Sequence, residues 1–243
     1  MTRSDIRGRV RLAAEREGPE AGAVVVFAHG WLSERSSRGR FAYLAGRYRA
    51  AGYATVRFDF AGCGDSEDAP VTDAGMIADL RAVLDRVDEW GYRRIALHGH
   101  SHGGSVCLRA ADPRPAAMVL TGAGTGATVY DWAEHLPAEV LRGIEADGRA
   151  RMPGGHLLTR ESLDGFAADA DLSAVGQPVL LMYGDAADDP EELMLARLAG
   201  ERLPSLPAGS RLDVIPGADH TMEGHLEEVA ERGLAWLERH CPA

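Results

Sequence analysis

The chain has 243 residues, and 45% hydrophobic with 26% charged residues is the composition of a globular protein with one large core. Its 26 basic residues are outnumbered by 37 acidic ones, and the net charge of −11 argues against general binding of nucleic acid. All basic residues are arginine. This excludes Schiff-base chemistry, pyridoxal phosphate enzymes and a P-loop lysine.

The cysteines and the apolar segments indicate the cellular compartment of the protein. Cys63, Cys107 and Cys241 are scattered and form no CxxC pair, which favours reduced thiols over a disulfide framework. The first eleven residues are charged, and the longest apolar run, 23–28, is too short to span a membrane. We therefore expect a soluble, cytoplasmic protein without a membrane partner.

Strands and helices alternate along most of the chain. After an apolar alternation over 6–12, short β-branched and apolar runs predict strands at 24–28, 55–60, 94–97, 117–120, 179–183 and 211–215. Helical periodicity, or a helix start, follows each of these strands except the one at 117–120. The first two predicted helices end at Gly52 and Gly91. The other helices lie at 105–110, at 190–203 and after residue 226. This order predicts an α/β fold with a mostly parallel, doubly wound sheet covered by helices on both faces.

Residues 125–177 interrupt the alternation. They predict two or three short helices, around Trp132, at 141–144 and at 163–166, separated by Pro137 and by the turn at 153–155.

A serine lies where the third predicted strand meets a helix. Gly99 and Gly103 flank Ser101 in the pattern G-x-S-x-G, and this strand–turn–helix context is that of a nucleophile elbow. The sharp turn leaves no room for side chains two residues to either side of the serine. We predict Ser101 as a nucleophile.

A serine needs a base and an acid to orient that base. His220 follows the last predicted strand in PGADH, where a parallel sheet presents its ligand-binding edge. The acid is expected after strand 179–183, where Asp188 is our assignment because it lies in the middle of the loop. Asp185 and Asp189 stay open as alternatives, although Asp189 before Pro190 is also typical of a helix N-cap.

Acyl transfer also requires donors for the developing oxyanion. The backbone N–H groups of Trp31, in the first βα loop, and of His102, after the serine, are the candidates. His29 in the same loop is interpreted as a structural hydrogen-bonding residue.

Two other arrangements compete for the same residues. His98, His100 and His102 alternate in a way that suggests a metal site, but their spacing does not fit H-x-H-x-D-H, and the glycines favour a turn. Cys63 lies between two glycines with no base beside it, so turn chemistry is the better interpretation. We predict no metal.

The motifs FAHGW, RFDFAGCGDS, GHSHGG, YGDAAD and PGADH occur in this order over nearly the whole chain. The sequence thereby resembles the α/β-hydrolase superfamily, within it the serine aminopeptidase-like group that includes feruloyl and cinnamoyl esterases. The resemblance implies a triad of Ser101, Asp188 and His220, with Trp31 and His102 as oxyanion donors. It implies a core of residues 1–124 and 178–243 with a short helical cap at 125–177.

The chain departs from the family pattern in two places that the structure can test. Ala61 stands where the family usually has an arginine in its D-x-R-G-x-G-x-S turn. The stretch before the first glycine-rich loop is short, which suggests that one antiparallel edge strand is missing.

The predicted function is that of a serine hydrolase, without a cofactor, that cleaves a small-molecule carboxylic ester or thioester through an acyl-enzyme. Trp31 and Trp132 are expected to contact the substrate. The alternative is a non-hydrolytic cyclase, lyase or binding protein that uses the same pocket. The sequence leaves the oligomeric state open, and a homodimer is one alternative.

Overall fold

A computed structural model describes residues 2–243, and a twisted eight-stranded sheet forms its centre. Its strands are β1 Thr2–Arg7, β2 Arg11–Glu17, β3 Ala23–Ala28, β4 Ala54–Phe58, β5 Arg94–His100, β6 Pro115–Thr121, β9 Val179–Gly184 and β10 Arg211–Ile215. A separate hairpin consists of β7 Arg149–Arg151 and β8 Leu157–Thr159. The sheet order is β1-β2-β4-β3-β5-β6-β9-β10, antiparallel at β1–β2 and β2–β4 and parallel elsewhere.

Eight α-helices accompany the strands in the described residues. They are α1 Arg40–Ala50, α2 Asp73–Glu89, α3 His102–Ala110, α4 Trp132–His135, α5 Ala138–Asp147, α6 Arg160–Asp164, α7 Pro190–Arg202 and α8 Leu226–His240. None of the helices in residues 2–243 is both long and apolar enough to cross a lipid bilayer.

Burial on both faces of the sheet explains the continuous apolar strands. In β3, Val24 and Val26 belong to a core that includes side chains of α2, α3 and α7, whereas Val25 and Phe27 belong to a second core with α1 and α8. A strand covered on both faces needs apolar residues at every position. The predicted α/β fold with helices on both faces is therefore confirmed.

The strands differ from the sequence-based prediction in two places. The sheet does not lack an antiparallel edge strand, because the alternation over 6–12 is broken by a turn in which the Gly8 N–H donates to the Val10 carbonyl. It therefore forms two strands, β1 and β2. The hairpin β7–β8 was not predicted, since strands this short carry too few residues to show a period of two.

Residues 125–177 leave the sheet after β6 and return to it at β9. Several of their apolar side chains are buried in the same core as α2 and α3, among them Leu136, Val140, Ile144, Leu158 and Leu163. The Val71 N–H also donates to the Leu157 carbonyl at 3.1 Å. The segment is therefore packed against the sheet and its helices.

Arg35 supplies the cation that the turn around Ala61 lacks. Its guanidinium contacts Asp59 at 2.5 Å, Asp65 at 2.8 Å and Glu15 at 3.1 Å. Its backbone N–H also donates to Asp59. The arginine thus comes from the loop after β3, and it joins that loop to the end of β4 and to strand β2.

Replacing Arg35 by methionine should lower the free energy of unfolding by about 3 kcal/mol, because the fully buried carboxylate of Asp59 loses its cation. Urea denaturation monitored by circular dichroism measures the change. The matched control is Arg197→Met, whose side chain is 73% exposed in a pair with Glu201 and should matter little. Equal losses in the two variants would contradict this role for Arg35.

Candidate active site

The turn between β5 and α3 holds Ser101 in a strained conformation, with φ of 54° and ψ of −129°. The turn is closely packed. A Cβ on Gly99 would lie 2.6 Å from the Gly104 Cα, and a Cβ on Gly103 would lie 2.2 Å from the Ala28 carbonyl oxygen. Real side chains do not tolerate such distances, so the glycines of the motif allow the turn to form. The structure thus places Ser101 on the strand-to-helix turn that the motif predicts.

His220 lies in the loop between β10 and α8, and the fold brings it to this serine. Its Nε2 is 2.9 Å from the Ser101 Oγ. The two residues are 119 positions apart in the chain and meet because β5 and β10 both end at the same edge of the sheet. The sequence-based pairing of these two side chains is present in the structure.

The carboxylate beside His220 belongs to Glu192, not to Asp188. The Glu192 Oε2 lies 2.7 Å from the His220 Nδ1, and its Oε1 accepts a hydrogen bond from the Gly184 N–H at 2.9 Å. Asp188 is exposed, and its carboxylate makes no hydrogen bond within residues 2–243. The assignment of Asp188 is therefore corrected to Glu192.

The two alternative aspartates have other contacts. The Asp185 carboxylate accepts from the Gly217 N–H at 2.6 Å and so joins the loops after β9 and β10. Asp189 is the N-cap of α7, as its position before Pro190 predicts. Glu192 is the third residue of that helix, where a glutamate usually indicates a capping box. The sequence around Glu192 therefore carries a recognisable signal, but that signal indicates helix capping and not a contact with His220.

Charge around His220 favours its protonated form. Burial opposes protonation, but the hydrogen bond and charge of Glu192, with further contributions from Glu191 and Asp189, raise the pKa of His220 above its ordinary value. With Nδ1 donating to Glu192, Nε2 of the neutral ring is free to accept the Ser101 hydroxyl proton.

His100 is a second buried histidine near the serine, and it stays neutral. Burial lowers the pKa of His100 well below its usual value, with smaller effects of His220 and Arg40. Because an arginine only donates, the His100 Nε2 accepts from Arg40 at 3.2 Å and its Nδ1 donates to the Thr121 hydroxyl at 2.9 Å. His100 thereby connects α1 with the end of β6.

His29 fixes the loop that faces the serine. Its Nε2 accepts the Phe60 N–H at 3.1 Å, and its Nδ1 lies 2.8 Å from the Gly30 carbonyl. Burial lowers the pKa of His29, so it acts as a neutral hydrogen-bonding residue, in the role its motif suggests. A Cβ on Gly30 would lie 3.3 Å from the Ser101 Cβ, so this backbone directly adjoins the serine.

Two backbone N–H groups close to Ser101 have no acceptor among the residues that the structure describes. They belong to Trp31, after Gly30, and to His102, the first residue of α3, and neither donates a hydrogen bond within residues 2–243. These are the two donors that the sequence predicts for an oxyanion.

A cleft of about 600 Å³ opens above Ser101 and His220. Aromatic side chains line it, and these are Trp31, Tyr130, Trp132 and Phe166. The Trp31 and Trp132 rings lie 5.5 Å apart, and each lies 5.2 Å from Phe166. Both tryptophans expected to contact a substrate therefore form part of one aromatic wall.

Comparison with known proteins identifies the family of this chain. The model of the alpha/beta hydrolase family matches residues 25–232, which is most of the chain. The chain belongs to the alpha/beta hydrolase family. This confirms the expected resemblance, and it confirms the prediction that the protein is an α/β-hydrolase enzyme.

Among proteins similar in sequence to this hydrolase is the mitochondrial palmitoyl-protein thioesterase ABHD10 of Homo sapiens, 30% identical over 131 residues. The match covers 53% of this chain and 42% of that protein, so the chain aligns with less than half of its relative.

Solved structures share the fold of this hydrolase over nearly its whole length. Est1E from Butyrivibrio proteoclasticus, with ferulic acid bound, has a TM-score of 0.78 at 20% identity and 98% coverage of each chain. The alpha/beta hydrolase domain-containing protein 10 from mouse has a TM-score of 0.73 at 20% identity, with 98% of this chain and 99% of that chain covered.

The three alternating histidines of this hydrolase have separate partners. His98 points into the core, with its Nδ1 2.9 Å from the Tyr48 hydroxyl, and burial lowers its pKa to about 3. The His102 Nε2 lies 3.0 Å from the Asp73 carboxylate. Within residues 2–243, no three His, Cys, Asp or Glu side chains are grouped to hold a metal ion.

Cys63 does not resemble an activated nucleophile. It is buried, and burial, with smaller effects of Asp59 and Asp79, raises the pKa of its thiol to about 12. Nucleophilic cysteines need the opposite shift, toward the thiolate.

Replacing Glu192 by glutamine should lower the pKa of His220, because burial then acts on the imidazolium without the main charge that opposes it. NMR titration of the imidazole resonances measures the pKa. Asp188→Asn is the matched control, and it should leave the pKa of His220 unchanged. A lower pKa in the control, with no change in Glu192→Gln, would return the role to Asp188.

Proposed function

We propose that this hydrolase cleaves carboxylic esters or thioesters through an acyl-enzyme, with Ser101 as nucleophile, His220 as base and Glu192 as the acid of the triad. The observation that carries the proposal is the unbroken chain of contacts from the Glu192 carboxylate through His220 to the Ser101 hydroxyl. This series of contacts ends at the floor of a large cleft, where a substrate carbonyl can reach the serine.

Acylation begins when the His220 Nε2 takes the Ser101 hydroxyl proton while Oγ forms a bond to the carbonyl carbon. Glu192 stabilises the resulting imidazolium and keeps its Nδ1 proton in place. The tetrahedral intermediate collapses as its bond to the alkoxide or thiolate breaks, and His220 returns the proton to that leaving group. Water then attacks the acyl-enzyme by the same route and releases the carboxylic acid.

The oxyanion of each tetrahedral intermediate needs donors held rigidly in place. The Trp31 and His102 N–H groups suit this role, since both adjoin Ser101 and have no other acceptor in the described chain. His102 begins helix α3, whose N-terminal end also favours negative charge.

Residues 125–177 are proposed to act as a cap on a core of residues 1–124 and 178–243. Tyr130, Trp132 and Phe166 from this segment line the cleft, and Trp31 faces them from the core. An aromatic wall suits the apolar part of an acyl ester or thioester. The names of the relatives, a palmitoyl-protein thioesterase and a structure holding ferulic acid, are consistent with this substrate class.

Replacing Ser101 by alanine should lower the hydrolysis of aryl esters about 10⁶-fold, the loss typical of a triad serine. Release of acid from an ester and thioester panel measures the reaction, and labelling by a fluorophosphonate should occur in the wild type only. The control is Ser205→Ala, an exposed serine that does not line the cleft. A labelled protein that releases no acid from any member of the panel would favour non-hydrolytic chemistry.

Glu192→Gln should lower kcat/KM about 10⁴-fold, because the imidazolium loses its carboxylate. In the wild type, kcat/KM should fall as pH decreases through the raised pKa of His220, since only the neutral ring accepts a proton. The variant should move this limb to lower pH. Asp188→Asn is expected to match the wild type, and an equal loss in both variants would contradict the assignment of Glu192.

A further inference from the structure

Both carboxylate oxygens of Asp189 accept hydrogen bonds from residues of the proposed triad. Oδ1 accepts from the Glu192 N–H at 3.0 Å, and Oδ2 accepts from the His220 N–H at 2.8 Å. The Glu192 Oε2 in turn contacts the His220 ring at 2.7 Å. The acid and the base are thus joined twice, once through their side chains and once through the Asp189 carboxylate.

The two residues joined in this way come from different segments of the chain. Glu192 is in the first turn of α7, and His220 follows β10. The loops after β9 and β10 also meet where the Ala186 N–H donates to the Ala218 carbonyl at 3.0 Å, but this contact lies at the strand ends. Asp189 makes its contacts at the acid and the base themselves.

We propose that Asp189 is a positioning residue for the reaction, holding the backbones of His220 and Glu192 so that their side chains keep hydrogen-bonding distance. This inference rests on the proposed function. A helix cap alone needs one acceptor oxygen, which serine and asparagine supply about as well as aspartate. The second oxygen, on the His220 N–H, is what capping does not explain.

The negative charge of Asp189 also acts on His220, the proposed base. The charged and titratable groups around His220 are Glu192 and Glu191 from α7, Asp189 itself, Asp219 from the loop of His220, and the neutral His100 ring at 5.2 Å from β5. Asp189 adds to the effect of the two glutamates in raising the pKa of His220. Its removal should therefore change the pH profile as well as the geometry.

Asp189→Ser tests this role, because serine keeps the cap of α7 but cannot bind both N–H groups. We expect kcat to fall about 10- to 100-fold with little change in KM, since small displacements of catalytic groups reduce rates by this order. The acid limb of kcat/KM should move to lower pH. Asp189→Asn is the second variant and should behave alike, because its NH₂ group faces one of the two donors.

Asp188→Asn removes the same charge one residue away and should leave both kcat and the pH profile at the wild-type values. If Asp189→Ser has the kinetics of this control while its melting temperature falls, Asp189 only caps the helix and the inference is overturned. The NMR signal of the His220 Nδ1 proton adds a readout that needs no turnover. It should move upfield in Asp189→Ser as the hydrogen bond to Glu192 lengthens.

Failure of the proposed function has a different signature from failure of this inference. If the wild type neither reacts with a fluorophosphonate nor hydrolyses any ester or thioester, the triad itself is wrong. If it does both and Asp189→Ser is equally active, only the positioning role is refuted.

Discussion

The carboxylate of Glu192 is fully buried between helix α7 and the loop that carries His220, and a buried charge is stable only where hydrogen bonds replace water. The Gly184 N–H, at the end of β9, satisfies one oxygen, and the His220 ring satisfies the other. Gly184 can come this close to the next loop because it has no side chain; a Cβ there would lie 1.9 Å from the Ala218 carbonyl oxygen. One carboxylate thus joins a strand end, a helix and a loop.

Four buried or largely buried histidines differ in the partners of their imidazole rings. His29, His98 and His100 are buried with neutral or donor partners, and burial lowers the pKa of each. His220 is also largely buried, but it has the Glu192 carboxylate beside it, and its pKa is raised. Three rings therefore serve as neutral connections, and one is suited to take and return a proton.

Most of the site could be predicted where the signal is local. Ser101 is recognisable because glycines, a strand and a helix all lie within a few residues of it, and His220 because it follows the last strand. The carboxylate that contacts His220 could not be assigned in this way, since several carboxylates follow β9 within one short stretch. Their local patterns are all compatible with the role, and only the path of α7 determines which side chain reaches the imidazole.

The order of strands and helices and the strand-end motifs are determined by the sequence itself, because periodicity and glycine spacing act over neighbouring residues. The short hairpin β7–β8 lacks such a signal, and so does the placement of Arg35, which supplies the cation missing from the Ala61 turn. Tertiary structure decides these features, together with the pairing of Glu192 and the second contact of Asp189. Each depends on a distance between segments remote in the chain, and the packing of the strand ends sets that distance.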